Sequence, residues 1–144
     1  MLEGKLKDLV SFHHIGIAVR DFAHSVNFYK SLGYKCSDPV VDNTQNVELV
    51  MLYSNSFPSI ELVKPINKES PINNYLKDKE EVIYHICYTT KNLQMVLDIL
   101  KSEHRVICVK RQQPTNAFND NLISFYYIKN VGIVEFLEEC STKT

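Results

Sequence analysis

The feature that most constrains the fold is a faint internal repeat. Its first copy reads FHHIGIAV, then DFAHSVNFYKSLGY, then NVELVMLY and SIELVKP. Its second copy reads IYHICYTT, then NLQMVLDILKSEHRV, then LISFYYI and GIVEFLEE. A further strand follows each helical segment, KCSDPVV in the first copy and VICVKRQ in the second. The repeat therefore predicts an α+β fold built from two tandem βαβββ modules.

The repeat also sets the expected boundaries. We predict one domain over residues 10–144, with a first module at 10–66 and a second at 82–140. The segment between them, 67–81, contains a Ser-Pro dipeptide at 70–71. Serine is a preferred N-cap and proline is favoured in the first helical turn, so this dipeptide predicts a short linking helix that runs to about Lys77.

The two helices are predicted from apolar residues that recur on one helical face. Asp21 and Asn92 are the candidate N-caps, and Gly33 marks the end of the first helix. The apolar stripes are Phe22, Val26, Tyr29 and Leu32 in the first helix, and Leu93, Val96, Leu97 and Leu100 in the second. Both stripes are typical of a helix that packs against a sheet.

Composition excludes several classes of function. The chain has 144 residues, 44% hydrophobic and 23% charged, with a formal net charge of −1. These values are typical of a globular protein and give no electrostatic basis for binding nucleic acid or a membrane surface. No apolar run approaches the ~20 residues of a membrane span. The charged first ten residues lack the apolar core of a signal peptide, so we expect a cytoplasmic protein.

The four cysteines do not form a metal-binding or redox motif. They lie at 36, 87, 108 and 140, and none forms a C-x-x-C pair. We therefore expect free thiols in a reducing compartment. The apolar surroundings of Cys87 and Cys108 predict that both are small core residues.

Two histidines occupy matching positions in the first strand of each repeat. Successive strand residues face opposite sides, so His14, Gly16 and Ala18 share one face while His13 shares the other with bulky residues. An imidazole followed by two small residues leaves space beside the strand. Aligning HIGIAV with HICYTT pairs His14 with His85 and leaves His13 outside the match.

Two glutamates match in the same way in the last strand of each repeat. Glu61 lies between Ile60 and Leu62, and Glu135 is flanked by Val134 and Phe136. A lone carboxylate inside an apolar strand carries a desolvation cost of several kcal/mol. Two neutral imidazoles and two carboxylates cancel the charge of one divalent cation. The sequence therefore suggests that these matched residues form one metal site: His14, Glu61, His85 and Glu135.

The pattern resembles the vicinal oxygen chelate superfamily. The motifs HHIGIAV, IELVKP, ESPINNYL, YHICY and GIVEFLEE are most similar to methylmalonyl-CoA epimerase and its glyoxalase-like relatives. The resemblance implies a half-open barrel of the glyoxalase/bleomycin-resistance/dioxygenase type and a metal held by the four matched residues. It also implies a homodimer. Many epimerases have glutamine at the position of Glu61, whereas glutamate is closer to the glyoxalase I pattern.

The resemblance further implies a metal-dependent isomerase (epimerase) or lyase. Two nitrogen and two oxygen ligands suit Ni, Co, Mn, Zn or Mg. The expected reaction removes a proton next to a metal-chelated carbonyl and then returns it. The candidate catalytic bases are Glu135, Glu61 and, from the strand NVELVML, Glu48.

The substrate stays open between an acyl thioester, a hemithioacetal and a related α-oxygenated acid. Epimerases have a glycine-rich loop near the substrate, whereas residues 115–121 read TNAFNDN, without glycine. This difference weakens the argument for a coenzyme A thioester. The alternative function is a non-catalytic small-molecule-binding module of the bleomycin-resistance type, and the presence of all four candidate ligands argues against it.

Overall fold

A computed structural model describes residues 3–139, which form a mixed α+β structure rich in strands and with few helices. The helices are α1 (Ala23–Ser31), α2 (Asn73–Leu76) and α3 (Leu93–Glu103). The strands are β1 (Val10–Val19), β2 (Lys35–Cys36), β3 (Val40–Asp42), β4 (Val47–Tyr53), β5 (Ile60–Pro65), β6 (Glu81–Thr90), β7 (Val106–Pro114), β8 (Leu122–Ile128) and β9 (Gly132–Glu138). This order confirms the predicted α+β class; residues 140–144, which end the predicted domain, lie outside the described range.

The chain divides into two compact units. The first-repeat unit is His14–Tyr84. The second-repeat unit combines the segment that ends at His13 with the segment that begins at His85. The chain therefore passes between the units inside β1 and again inside β6. Each unit holds the helix and the later strands of one sequence repeat.

The first-repeat unit is a sheet with strand order β2-β4-β5-β1, in which β5 and β1 run parallel and β3 also pairs with β4. One face of this sheet packs against α1 through partly buried helix residues. This core consists of Ile17, Val19, Tyr34, Val50, Leu52, Ile60 and Leu62, with Ile15, Phe22, Val26, Tyr29 and Cys36 packed against it. Leu32, the last residue of the predicted stripe, follows the end of α1 and is exposed, because the helix stops at Ser31.

The segment KCSDPVV forms two short strands where the sequence predicts one. Strand β2 ends at Cys36 and β3 begins at Val40. Between them, the Ser37 hydroxyl accepts a hydrogen bond from the Met51 backbone N–H at 2.9 Å. Pro39 has no N–H to donate to a strand neighbour, which accounts for the interruption.

The second-repeat unit is a sheet with strand order β6-β9-β8-β7, in which β6 and β9 run parallel. Helix α3 packs against one face of it, and the Asn92 side chain accepts a hydrogen bond from the Met95 N–H, as an N-cap should. All four residues of the predicted stripe are buried. This core consists of Leu93, Val96, Leu97, Leu100, Tyr126, Ile128, Val134 and Phe136.

The linking helix is shorter than the sequence predicts. Helix α2 covers Asn73–Leu76, and the Ser70 side chain does not cap it. The Asn73 side-chain amide instead donates to the carbonyls of Asn67 and Ser70, at 2.8 and 3.1 Å. These bonds fold the preceding loop onto the helix start, so a capping role for the Ser70 hydroxyl is wrong.

The described cysteines differ in burial. Cys87 is fully buried, as predicted, but Cys108 is exposed. Cys108 lies on β7, whose pairing with β8 shifts register on either side of Lys110, so the expected alternation of buried and exposed residues is lost. Cys140 lies outside the described residues. Within residues 3–139, we find no helix with the length and apolar character to cross a membrane.

Candidate metal-ligating pairs

The first-repeat unit brings His14 and Glu61 together. The Nε2 atom of His14 lies 3.5 Å from the Oε1 atom of Glu61. The His14 side chain is fully buried and the Glu61 side chain is 6% exposed. A buried carboxylate beside an imidazole can accept a hydrogen bond from the neutral or the protonated ring, and the same two groups can also ligate a metal.

The parallel pairing of β1 and β5 positions this pair. Gly16 is the strand partner of Glu61, and His14 lies two residues before Gly16, so both side chains lie on the face opposite α1. On the other side of Glu61, Met51 is its partner across the antiparallel pair of β4 and β5. Gly16 has no side chain and therefore places none beside the carboxylate on that flank.

The second-repeat unit brings His85 and Glu135 together in the same way. The Nε2 atom of His85 lies 3.1 Å from the Oε1 atom of Glu135. The His85 side chain is fully buried and that of Glu135 is 3% exposed. The second histidine–glutamate pair is thus as buried as the first, and its nitrogen–oxygen distance is similar.

The strand pairing is also equivalent in the second-repeat unit. Cys87 is the partner of Glu135 on the parallel strand β6, and His85 lies two residues before Cys87. Phe125 is the partner of Glu135 on β8, and its ring meets the His85 ring edge-on at 5.5 Å. Cys87 and Phe125 therefore occupy the positions that Gly16 and Met51 occupy in the first-repeat unit.

The donor set of each pair is suited to a divalent cation. Imidazole nitrogen binds Zn, Co and Ni well, and carboxylate oxygen also suits Mn and Mg. A cation would offset the cost of burying each carboxylate, which a neutral imidazole does not. Each pair therefore offers donors of the kind that a divalent metal requires.

Glu48 does not share a face with these residues. It is the strand partner of Lys64, whereas Glu61 is the partner of Met51, so Glu48 and Glu61 point to opposite faces of the sheet. The Glu48 carboxylate lies 3.5 Å from the Lys64 Nζ, and that ammonium lies 4.9 Å from the centre of the Phe22 ring. Glu48 therefore lies on the face of the sheet that packs against α1. Its prediction as a candidate base is wrong.

His13 also lies apart from the paired histidines. Its ring packs edge-on against the ring of Phe118 at 5.1 Å, within the second-repeat unit. The strand alternation that separates His13 from His14 is therefore the one expected from the sequence.

Two polar residues that the sequence reasoning missed lie on the same face as Glu61. Tyr53 follows Met51 by two residues on β4, and Lys35 is the strand partner of Tyr53 on β2. Burial, together with the nearby Glu61 carboxylate, raises the pKa of the Tyr53 phenol above its ordinary value. The sequence alone could have placed Tyr53 on the same strand face as Met51, because the two residues are two apart on one strand. The pairing of Lys35 with Tyr53 could be recognised only from the fold.

Among curated proteins, the chain is similar to mitochondrial methylmalonyl-CoA epimerases. It is 31% identical to the human epimerase over 105 residues, which cover 71% of this chain and 59% of the human protein. It is 30% identical to the epimerase of Dictyostelium discoideum over 130 residues, which cover 88% of this chain and 76% of that protein. The chain thus spans about three fifths of the length of the human relative.

The chain also matches solved structures and the model of a protein family. The fold matches that of methylmalonyl-CoA epimerase from Mycobacterium tuberculosis, with a TM-score of 0.72 at 20% identity over 90% of this chain and 87% of that one. It also matches a variant of Streptomyces coelicolor methylmalonyl-CoA epimerase in complex with 2-nitronate-propionyl-CoA, with a TM-score of 0.69 at 22% identity over 92% and 99% of the two chains. The model of the glyoxalase/bleomycin resistance protein/dioxygenase superfamily matches residues 13–125. The chain belongs to this superfamily, as the repeat, the strand order of each unit and the paired histidines and glutamates had suggested.

Proposed function

We propose that this protein is a divalent-metal-dependent epimerase that acts on an acyl thioester of the methylmalonyl-CoA type. One observation carries the proposal: each unit holds a buried histidine next to a buried glutamate, at equivalent points of equivalent strand pairs. Burying two carboxylates is costly unless something positive compensates them. The epimerase relatives in other organisms support the choice of substrate class.

The proposed metal ligands are His14 and Glu61 from one unit and His85 and Glu135 from the other. We propose that both pairs bind one shared ion. Each histidine is the first residue after the chain has passed from one unit into the other. Two neutral imidazoles and two carboxylates balance the charge of a single divalent ion, whereas two separate ions would leave a net charge of +2 among buried groups.

A bound divalent ion would polarise the thioester carbonyl and stabilise the negative charge that develops on it. The chain itself has to move the proton. Of the two buried carboxylates, Glu135 is the proposed main base and Glu61 the secondary one, because many epimerases have glutamine, which is not a base, at the position of Glu61. A carboxylate takes the proton from the carbon next to the carbonyl and returns it to that same carbon.

Return of the proton to the opposite face of the carbon inverts it, which is epimerisation. Delivery to the neighbouring carbon would instead give the lyase chemistry of the glyoxalase type. The curated relatives named above are epimerases, which favours the first outcome. The superfamily also includes bleomycin resistance proteins, so a non-catalytic binding protein is the alternative that an experiment has to exclude.

The test is hydrogen–deuterium exchange at the α-carbon of methylmalonyl-CoA, monitored by NMR in D2O. We expect exchange by protein purified without chelator, loss of exchange after dialysis against EDTA, and recovery with Co, Ni or Mn. Protein that binds the thioester but exchanges no α-proton with any of these ions would contradict the proposal and favour the binding module.

A matched control comes from the opposite face of the same sheet. Glu48→Gln removes a half-buried carboxylate near Glu61 in the sequence but on the α1 face. We expect this variant to keep the exchange rate within about twofold, since Glu48 lies on the opposite face and its partly exposed ion pair with Lys64 contributes only about 1 kcal/mol or less to stability. A large loss of exchange in Glu48→Gln would show that the wrong face of the sheet has been assigned to catalysis.

We also propose that the protein is a homodimer. The support is the resemblance to the superfamily, and sedimentation equilibrium over a range of concentrations measures it directly. A constant mass of about 17 kDa, that of one chain, would contradict it.

A further inference from the structure

We propose that Lys35 and Tyr53 form a polar pair that binds an anionic oxygen group of the substrate next to the proposed metal site. The inference rests on the proposed function and adds to it a specificity-determining position. The group would be a carboxylate of the acyl portion or a phosphate of the coenzyme, which share the same chemistry. Neither residue belongs to the set of four proposed ligands.

The strand register places this pair on the same face as Glu61. Glu61 is the partner of Met51, and Tyr53 is the next residue on that face of β4. Tyr53 is in turn the partner of Lys35 on β2. Diagonal neighbours on one face of a sheet lie about 7–8 Å apart, which a long side chain can span. Met51, Tyr53 and Lys35 therefore lead away from Glu61 along one face.

Exposure changes sharply along this face of β4. Val47, Leu49 and Met51 are each no more than 4% exposed, whereas Tyr53 is 49% exposed. Lys35 is also exposed. The buried part of the face thus ends at the tyrosine, and a ligand that approaches Glu61 along this strand meets the polar pair first.

The chemistry of the two side chains is complementary. The Lys35 ammonium carries a positive charge and three donors, and the Tyr53 hydroxyl is a neutral donor at pH 7. Both donate, so their common partner is an acceptor, and the ammonium favours an acceptor that is negatively charged. A carboxylate or a phosphate meets both conditions.

The second-repeat unit has no such pair at the equivalent position. Tyr127 follows Phe125 by two residues on β8, as Tyr53 follows Met51 on β4. Its partner on β7 is Ile107, which takes the place of Lys35. The tyrosine recurs and the cation does not, so the proposed anion recognition is confined to the first-repeat unit.

The test compares Lys35→Met and Tyr53→Phe with wild-type protein, by α-proton exchange kinetics and by the Kd of 2-nitronate-propionyl-CoA measured by calorimetry. A hydrogen bond to a charged group supports roughly a tenfold change in affinity or more. We therefore expect Lys35→Met to raise KM and Kd about tenfold with kcat within about twofold, and Lys35→Arg to restore most of the loss. Tyr53→Phe removes one neutral donor, so a rise of about threefold is expected.

Two controls match these variants. Lys30→Met removes an exposed lysine from α1 and should leave KM and Kd unchanged. Tyr127→Phe makes the same chemical change as Tyr53→Phe in the second-repeat unit and should have no effect on Kd. Equal effects of Tyr127→Phe and Tyr53→Phe would contradict the assignment to the first-repeat unit.

A phosphate-free substrate separates the two sources of the anion. With the N-acetylcysteamine thioester of methylmalonate, a persisting effect of Lys35→Met assigns the acyl carboxylate, and a lost effect assigns a coenzyme phosphate. Unchanged KM and Kd in Lys35→Met with both thioesters would overturn the inference. Failure of the proposed function is recognised separately, because wild-type protein would then exchange no α-proton at all.

Discussion

The two units place the same pair of residues at the same register, but they surround it with different neighbours. In the first-repeat unit the glutamate lies between Gly16 and Met51, and in the second it lies between Cys87 and Phe125. The nitrogen–oxygen distances, 3.5 and 3.1 Å, are similar in both. The histidine–glutamate pair depends on strand register, whereas the residues beside it differ between the units.

The units also differ next to these pairs. Lys35 faces Tyr53 in the first-repeat unit, and Ile107 faces Tyr127 in the second. The comparison indicates that the two halves of a duplicated fold can share a buried histidine–glutamate pair and still differ in the side chains next to it. The following experiments test that difference, beginning with the largest expected effect.

The largest effect is expected from the two glutamates. Glu135→Gln removes a proposed base and should lower the rate of α-proton exchange about 1,000-fold. Glu61→Gln should lower it only about tenfold, because Glu61 is the secondary base and the amide still offers an oxygen to the metal. The resemblance to epimerases, many of which have glutamine at this position, agrees with that expectation. Initial rates in D2O at saturating metal measure both, and equal losses would show that the two carboxylates share the proton transfer.

The two residues that pack beside the glutamates should differ in how much they contribute to the free energy of unfolding. Phe125→Ala should lower the free energy of unfolding by about 4 kcal/mol, since it opens a cavity among buried residues and removes the ring that contacts His85. Met51→Ala should cost about 3 kcal/mol, because the smaller side chain leaves a smaller cavity. Urea denaturation followed by circular dichroism measures both values. A larger loss of stability in Met51→Ala than in Phe125→Ala would contradict this prediction.

The smallest effect is expected at the helix starts. Asn92 caps α3 with a 3.1 Å hydrogen bond, and Asn92→Ala should cost about 1 kcal/mol. Asp21 accepts a longer bond, 3.3 Å, from the Ala23 N–H, but Phe22 occupies the cap position of α1. We expect Asp21→Ala to cost less than about 0.5 kcal/mol by the same urea assay. Equal costs would mean that Asp21 is a full cap.

The sequence was sufficient to predict the features that depend on residue periodicity within one strand or one helix. Alternation separates His14 from His13, and the helical stripe identifies the buried residues of α3. Matching the two repeats pairs His14 with His85 and Glu61 with Glu135, and the structure places each pair at the same strand register. These features depend on neighbours within one strand, one helix or one repeat.

The sequence was insufficient where the answer depended on distant pairing. The face of Glu48 is set by its register against Lys64, and a shift of one residue would reverse it. The exposure of Cys108 follows from register shifts between β7 and β8. The pairing of Lys35 with Tyr53 joins residues from different strands. None of these can be read from a local pattern.

The most direct test of the proposal that both pairs bind one metal ion is the number of ions bound per chain. Protein purified without chelator is analysed by inductively coupled plasma mass spectrometry, beside His14→Ala from one unit and His85→Ala from the other. Circular dichroism verifies that each variant is folded. We predict about one divalent ion per chain in the wild type and loss of that same ion in both variants. Two ions per chain, with each variant losing only one, or a wild-type protein that binds none, would contradict the account.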